Sequence, residues 1–168
     1  MEKSCLLLGS NQGDRQSLLQ QATDLIRQRV GSVACCSPLY ETAPWGQFEE
    51  GEDQPFLNMA MAVDTAMDPQ SLLSALKDIE RDLGREIQHS PPRLRYSSRP
   101  IDIDIILYGS LVLDSPELTI PHPRMRLRRF VLQPLCDIAP DAVHPLLKKT
   151  VHQLLEECPD TSSLSCCA

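Results

Sequence analysis

The chain has 168 residues, 42% hydrophobic and 23% charged, an ordinary globular composition with length enough for one domain with a real core. Its net charge of −7 argues against general nucleic-acid binding, which needs a basic footprint. The 7 cysteines form no CxxC pair and none lies at zinc spacing from a histidine; an odd count fits reduced thiols better than a disulfide framework, and no stretch approaches a signal-peptide core or a membrane span, so the chain reads as cytoplasmic.

Residues 3–9 read as a short buried strand, followed by a turn over Gly9 to Asp14 with Asp14 as helix cap. Leu18, Ala22, Leu25, Ile26 and Val30 give one apolar face to a helix over 15–30, ended by Gly31. Ser32 to Tyr40 reads as a second strand. A loop of about a dozen residues then runs from Thr42 to Pro55 and carries the sole tryptophan, Trp45, either as a lid over a flat ligand or as a small satellite core. In the third strand, 56–63, Leu57, Met59, Met61 and Val63 form a core stripe. The opposite face, with Phe56 and Asn58 among alanines, suits a planar heterocycle, or is simply a solvated face. Asp68-Pro69 starts a helix whose buried residues are Leu72, Leu76, Ile79 and Leu83, with Gly84 as its end.

The segment Glu86 to Ser98 is irregular and basic, either a connector or a flap suited to closing over a triphosphate. It leads into Arg99-Pro100-Ile101-Asp102-Ile103-Asp104-Ile105, an alternating strand that turns both aspartates to one side. Neighbouring carboxylates repel, and a divalent cation relieves the repulsion; Mg²⁺ takes one or two carboxylates plus phosphates and water. Nine of the 12 arginines lie in two windows, 81–99 and 124–129, which supplies the phosphate-gripping partners. The alternative is a solvated strand face. Beyond it, Gly109-Ser110 reads as a hairpin turn into 111–113, 118–120 leads to the segment 121–125, 126–135 and 149–157 read as helices, and 161–168 as a disordered tail after one domain over 1–160. His122 sits rigidly between prolines beside the second arginine window.

Together, Leu8-Gly9-Ser10-Asn11, Tyr40-x-Thr42-x-Pro44, Phe56-Leu57-Asn58, Ile79-Glu80 with Arg85, Arg99-x-Ile101-Asp102-Ile103-Asp104, and Pro121-His122-Pro123-Arg124-Met125 with Arg128, Phe130, Val131, Leu132, Pro134 and Leu135 resemble the 6-hydroxymethyl-7,8-dihydropterin pyrophosphokinase family. The likeness covers residues 4 to about 157. It implies an α+β fold with a ferredoxin-like core, an antiparallel sheet carrying helices on its faces, in agreement with the β-α-β-β-α-β order read above. It also implies transfer of pyrophosphate from ATP to the pterin hydroxymethyl group with release of AMP, a step of folate biosynthesis. By the same likeness, Asp102 and Asp104 hold two Mg²⁺ ions. Arg85, Arg95 and Arg99 act catalytically on the phosphates. Glu80, Arg99, Ile105, His122 and Arg128 bind ATP. Thr42, Pro44, Trp45, Phe56, Asn58 and Phe130 bind the pterin. The partners implied are small molecules alone, with no nucleic acid or membrane and a monomeric chain. Ser97-Ser98 replaces the family's usual Gly-Pro or Ala-Pro, and Pro100 its usual Thr or Ser, changes that bear on loop closure. A non-catalytic nucleotide or RNA module, and a metal-dependent phosphohydrolase, are the competing readings.

Overall fold

The computed structural model describes residues 1–42, 55–85 and 100–167, with Arg85 by its backbone alone. Two long strands rich in alternating aliphatics, β1 (Glu2–Ser10) and β4 (Phe56–Thr65, fourth in chain order), pair antiparallel along their whole length and form the middle of the sheet. The other members are β2 (Gly31–Cys36), β3 (Leu39–Thr42), β5 (Asp102–Tyr108) and β8 (Ser165–Cys167). The order is β5-β1-β4-β3-β8, with β2 on the same edge of β4 as β3, and every pairing is antiparallel. β1, the β2/β3 pair, β4 and β5, with the first two helices between them, reproduce the expected ferredoxin-like order.

Helices α1 (Arg15–Arg29) and α2 (Pro69–Arg85) lie on one face. Asp14 caps α1 by accepting from Ser17 N at 3.1 Å, and Asp68 caps α2 through Ser71. Leu6 and Leu8 of β1, the Leu57–Val63 stripe of β4, and Ile101, Ile103 and Ile105 bury against Leu19, Ile26, Leu72, Leu76 and Ile79 of these helices. The opposite face packs Leu7, Ala60, Ile106 and Leu107 under α3 (Arg129–Ile138) and α4 (Val151–Glu156). A sheet buried on both sides explains why Asn58, Ala60 and Ala62 are buried and not solvated.

Several expectations are corrected. The strand read over 32–40 is broken at Ser37-Pro38. Pro38 has no N–H for a ladder, and Ser37 bonds Ala60 through both its backbone and its hydroxyl before pairing resumes in β3. Helix α2 runs through Gly84 to Arg85. The hairpin expected from β5 does not form. Gly109 takes the left-handed conformation (φ 52°), but His122 N–H bonds Ile106 O on β5, and β6 (Leu113–Asp114) pairs with β7 (Thr119–Ile120) instead. The helix read over 126–135 is a 3₁₀ turn at Met125–Leu127, an extended Arg128, and then α3. The tail expected to be disordered ends in β8, which among the described residues covers the outer edge of β3, with Cys167 packed against the core.

Candidate active site

Antiparallel pairing lines residues up in rows across the sheet. One row runs Asp102, Gly9, Asn58, Tyr40; the next runs Asp104, Leu7, Ala60. Ile101, Ile103 and Ile105 point into the α1/α2 core with at most 4% exposure, so alternation turns Asp102 and Asp104 to the α3 face, both partly exposed. Their α-carbons stand about 6.5–7 Å apart.

Gly9 makes this row possible. A Cβ there would lie 2.8 Å from Asn58 Oδ1 and 3.8 Å from Phe56 Cδ1, so a bare α-carbon separates the acidic end of the row from the amide end. Asn58 is 3% exposed, and its Nδ2 donates to Thr42 Oγ1 at 2.9 Å, which fixes the orientation of the amide. Phe56 lies one step further along the same face of β4, paired with Thr42. Phe130, in the first turn of α3, approaches from above, partly buried against the second core cluster, with the Arg128 guanidinium 5.6 Å from its ring centroid. Two phenyl rings and a fixed amide thus belong to the face that carries the two carboxylates.

The anion side gathers beside β5. His122 N donates to Ile106 O at 3.0 Å, which fastens the Pro121-His122-Pro123 segment to the strand. His122 Nδ1 accepts from Arg124 N at 3.2 Å, so the neutral ring carries its proton on Nε2. Burial, then the charges of Arg128 and Arg124, lower its pKa to about 4. At neutral pH it is therefore an uncharged donor. Burial and Arg124 also lower the pKa of Arg128, while Asp104 opposes them, which places Arg128 in the field of that carboxylate. Glu80 Oε2 accepts from Ile103 N at 3.0 Å, and Lys77 Nζ sits 3.1 Å from Oε1. The carboxylate is thus anchored on the peptide between the two aspartates, and burial raises its pKa.

The structure brings Thr42, Phe56, Asn58, Asp102, Asp104, Phe130 and Arg128 to one face, with Glu80 and His122 along the β5 edge. Ile105 contributes no side chain to the site; strand alternation leaves only its peptide groups on the outer edge that Ile103 N–H also faces. Pro44, Trp45, Arg95, Arg99 and the Arg85 side chain lie outside the described residues. Gly9 enters the sequence reading as the end of the first strand and the start of the turn, without the part its phase with Leu7 gives it in this row; the Glu80–Ile103 and Tyr40–Asp137 hydrogen bonds join residues too far apart in sequence to be paired.

The donor set fits Mg²⁺. Among the described residues no three His, Cys, Asp or Glu side chains cluster, so an ion at Asp102 and Asp104 would draw its other ligands from water and phosphate, as Mg²⁺ does. No helix of the described residues is long and apolar enough to cross a membrane.

Residues 5–140 match the family model of 7,8-dihydro-6-hydroxymethylpterin-pyrophosphokinase (HPPK). A 2-amino-4-hydroxy-6-hydroxymethyldihydropteridine pyrophosphokinase of Porphyromonas gingivalis is 48% identical over 141 residues, covering 83% of this chain and 92% of the relative. One from Aquifex aeolicus is 34% identical over 160 residues, covering 95% and 93%. Among solved structures, wild-type Plasmodium falciparum HPPK-DHPS matches with a TM-score of 0.69 at 19% identity over 94% of this chain; the chain spans 43% of that longer protein, and the likeness there is one of fold. Fold, family model and near-full-length relatives agree: the chain belongs to the 7,8-dihydro-6-hydroxymethylpterin-pyrophosphokinase family.

Proposed function

We propose that the chain transfers the pyrophosphoryl group of ATP to the hydroxymethyl oxygen of 6-hydroxymethyl-7,8-dihydropterin, the family's reaction and a step of folate biosynthesis. The observation that carries the assignment of residues is the single sheet face on which Asp102 and the Asn58 amide share one row and Asp104 stands in the next, with phenyl rings on the same face. In the reaction the pterin oxygen forms a bond to the β-phosphorus, the bond from that phosphorus to the α,β-bridging oxygen breaks, and AMP leaves. Phe56 and Phe130 clamp the flat ring, and Asn58, held by Thr42, reads its edge. The 2.8 Å approach to Gly9 leaves no room for a side chain in that row, so the ring can lie close to the backbone. His122 donates Nε2–H to a phosphate oxygen while neutral, and Arg128 adds a charged donor. Arg85, Arg95 and Arg99 are assigned to the charge that builds on the phosphates as the bridge breaks, and Pro44 and Trp45 to the pterin side. Asp102 and Asp104 would hold two Mg²⁺ ions, which when bound neutralise the triphosphate. All proposed groups come from one copy of the chain and act on small molecules of the cytoplasm.

The test is product identity. Protein, Mg²⁺ and ATP are expected to give AMP only when the pterin alcohol is added. ADP or free phosphate would favour a hydrolase, and absence of turnover a binding module; either overturns the proposal.

A further inference from the structure

Tyr40 has no place in the chemistry above, yet it occupies the fourth position of the row that holds Asp102, Gly9 and Asn58. Its ring is buried at 9% exposure, and its hydroxyl donates to Asp137 Oδ2, which lies in the last turn of α3. The other oxygen of Asp137 accepts from Gln133 Nε2, one helical turn back. Burial and the Asp137 carboxylate raise the Tyr40 pKa to about 12, so the hydroxyl keeps its proton through the working range.

The two ends of this bond matter because of what each element carries. β3 ends at Thr42, the hydroxyl on which Asn58 is oriented. α3 carries Phe130 in its first turn, and Arg128 is its N-cap residue. The helix packs on the apolar face through Val131, Leu132 and Leu135, contacts that resist sliding along the sheet only weakly. A directional bond at one end of a ten-residue helix restricts rotation about the sheet normal, and so restricts the swing of the ring at the other end.

We infer that Tyr40 and Asp137 are a positioning pair for the pterin: the hydrogen bond between them sets the gap between Phe130 on α3 and the Phe56/Asn58/Thr42 side of the sheet. This rests on the pterin assignment above and goes beyond it, since neither residue touches the ring. The pair acts mainly on the pterin, because His122 and the β5 edge are fastened independently through Ile106 and Glu80, and of the described phosphate-side groups only Arg128, the N-cap residue, travels with α3.

The test uses the full chain and reads both substrates. Tyr40→Phe and Asp137→Ala are each expected to weaken binding of 6-hydroxymethylpterin, followed by its own fluorescence, by about tenfold, and to raise the pterin KM by a similar factor. Mg-ATP affinity should fall by clearly less than pterin affinity, since Arg128 is the one described phosphate-side group on α3, and kcat should stay within about twofold of wild type. Asp137→Asn keeps an acceptor oxygen and should recover most of the pterin affinity, which a bulk loss of stability or charge would not explain. A double variant, Tyr40→Phe with Asp137→Ala, should be no worse than either single change. Unchanged pterin affinity in both single variants, equal loss for ATP and pterin, or no recovery in Asp137→Asn would overturn the inference. Wild type measured alongside separates the two proposals: if it binds no pterin, the assigned substrate is wrong, whatever the variants do.

Discussion

Replacing Gly9 by alanine perturbs the row that joins the two halves of the site. The added methyl would stand 2.8 Å from Asn58 Oδ1, against an ordinary C···O approach of about 3.3 Å or more, so the amide must recede by about half an ångström. Asn58 has no slack for this. It is 3% exposed and committed to Thr42 Oγ1 at 2.9 Å. Breaking that buried hydrogen bond costs about 1–3 kcal/mol. Spent on the fold, the sum lowers Tm by about 2–4 °C per kcal/mol for a chain of this size. Spent on the ligand, where the methyl also fills the bare patch, it weakens pterin binding by about five- to 150-fold. Steady-state kinetics with each substrate varied in turn, beside a thermal melt, separates the two. The expected outcome is a pterin KM at least fivefold higher, an ATP KM within about twofold, and a Tm a few degrees lower. A Gly9→Ala enzyme with wild-type pterin KM would refute the argument that the bare α-carbon shapes the pterin face.

Asp102→Ala should abolish AMP formation, a fall of at least about a hundredfold, with a melting curve close to wild type because the side chain is partly exposed; retained turnover would remove it from the phosphate site. Phe130→Ala should raise the pterin KM by about ten- to 100-fold through loss of stacking, with a much smaller change for ATP, checked by the same two-substrate kinetics. His122 gives a pH signature. Its folded pKa of about 4 lies below the ordinary 6.5, so the unfolded chain takes up the proton first. Stability therefore falls as pH drops from about 6.5 towards 4, by about 1–2 kcal/mol given the partial exposure of the ring, and no further below that. His122→Gln should flatten this part of the stability profile measured by urea unfolding; an unchanged acid slope would show that His122 is not its source.

The parts of this protein legible in the sequence are those where local pattern and tertiary demand coincide. Alternation in β4 and β5 identified the core stripe and, by exclusion, the face that carries Asn58, Asp102 and Asp104. Asp14 and Asp68 announced their helices because a cap is a contact over three residues. The failures share the opposite property. Ser37-Pro38 breaks a strand because of a bond to Ala60 across the sheet. Gly109 turns as expected, but β6 pairs with β7, and it is His122, well beyond the turn, that bonds β5 at Ile106. β8 forms against the outer edge of β3, which nothing in residues 161–168 reveals. The same division runs through the site. Residue types that bind metal or aromatic rings are conspicuous in a sequence, whereas the groups that aim them are ordinary. Thr42 orients Asn58, Arg124 N–H selects the His122 tautomer, and Glu80 pins the Ile103 peptide. Each aiming contact joins residues that the fold alone brings together, or uses backbone that every residue possesses. The identity of the chemistry can therefore be read before the fold is known, while its selectivity, which depends on distances such as the 2.8 Å left beside Gly9, cannot.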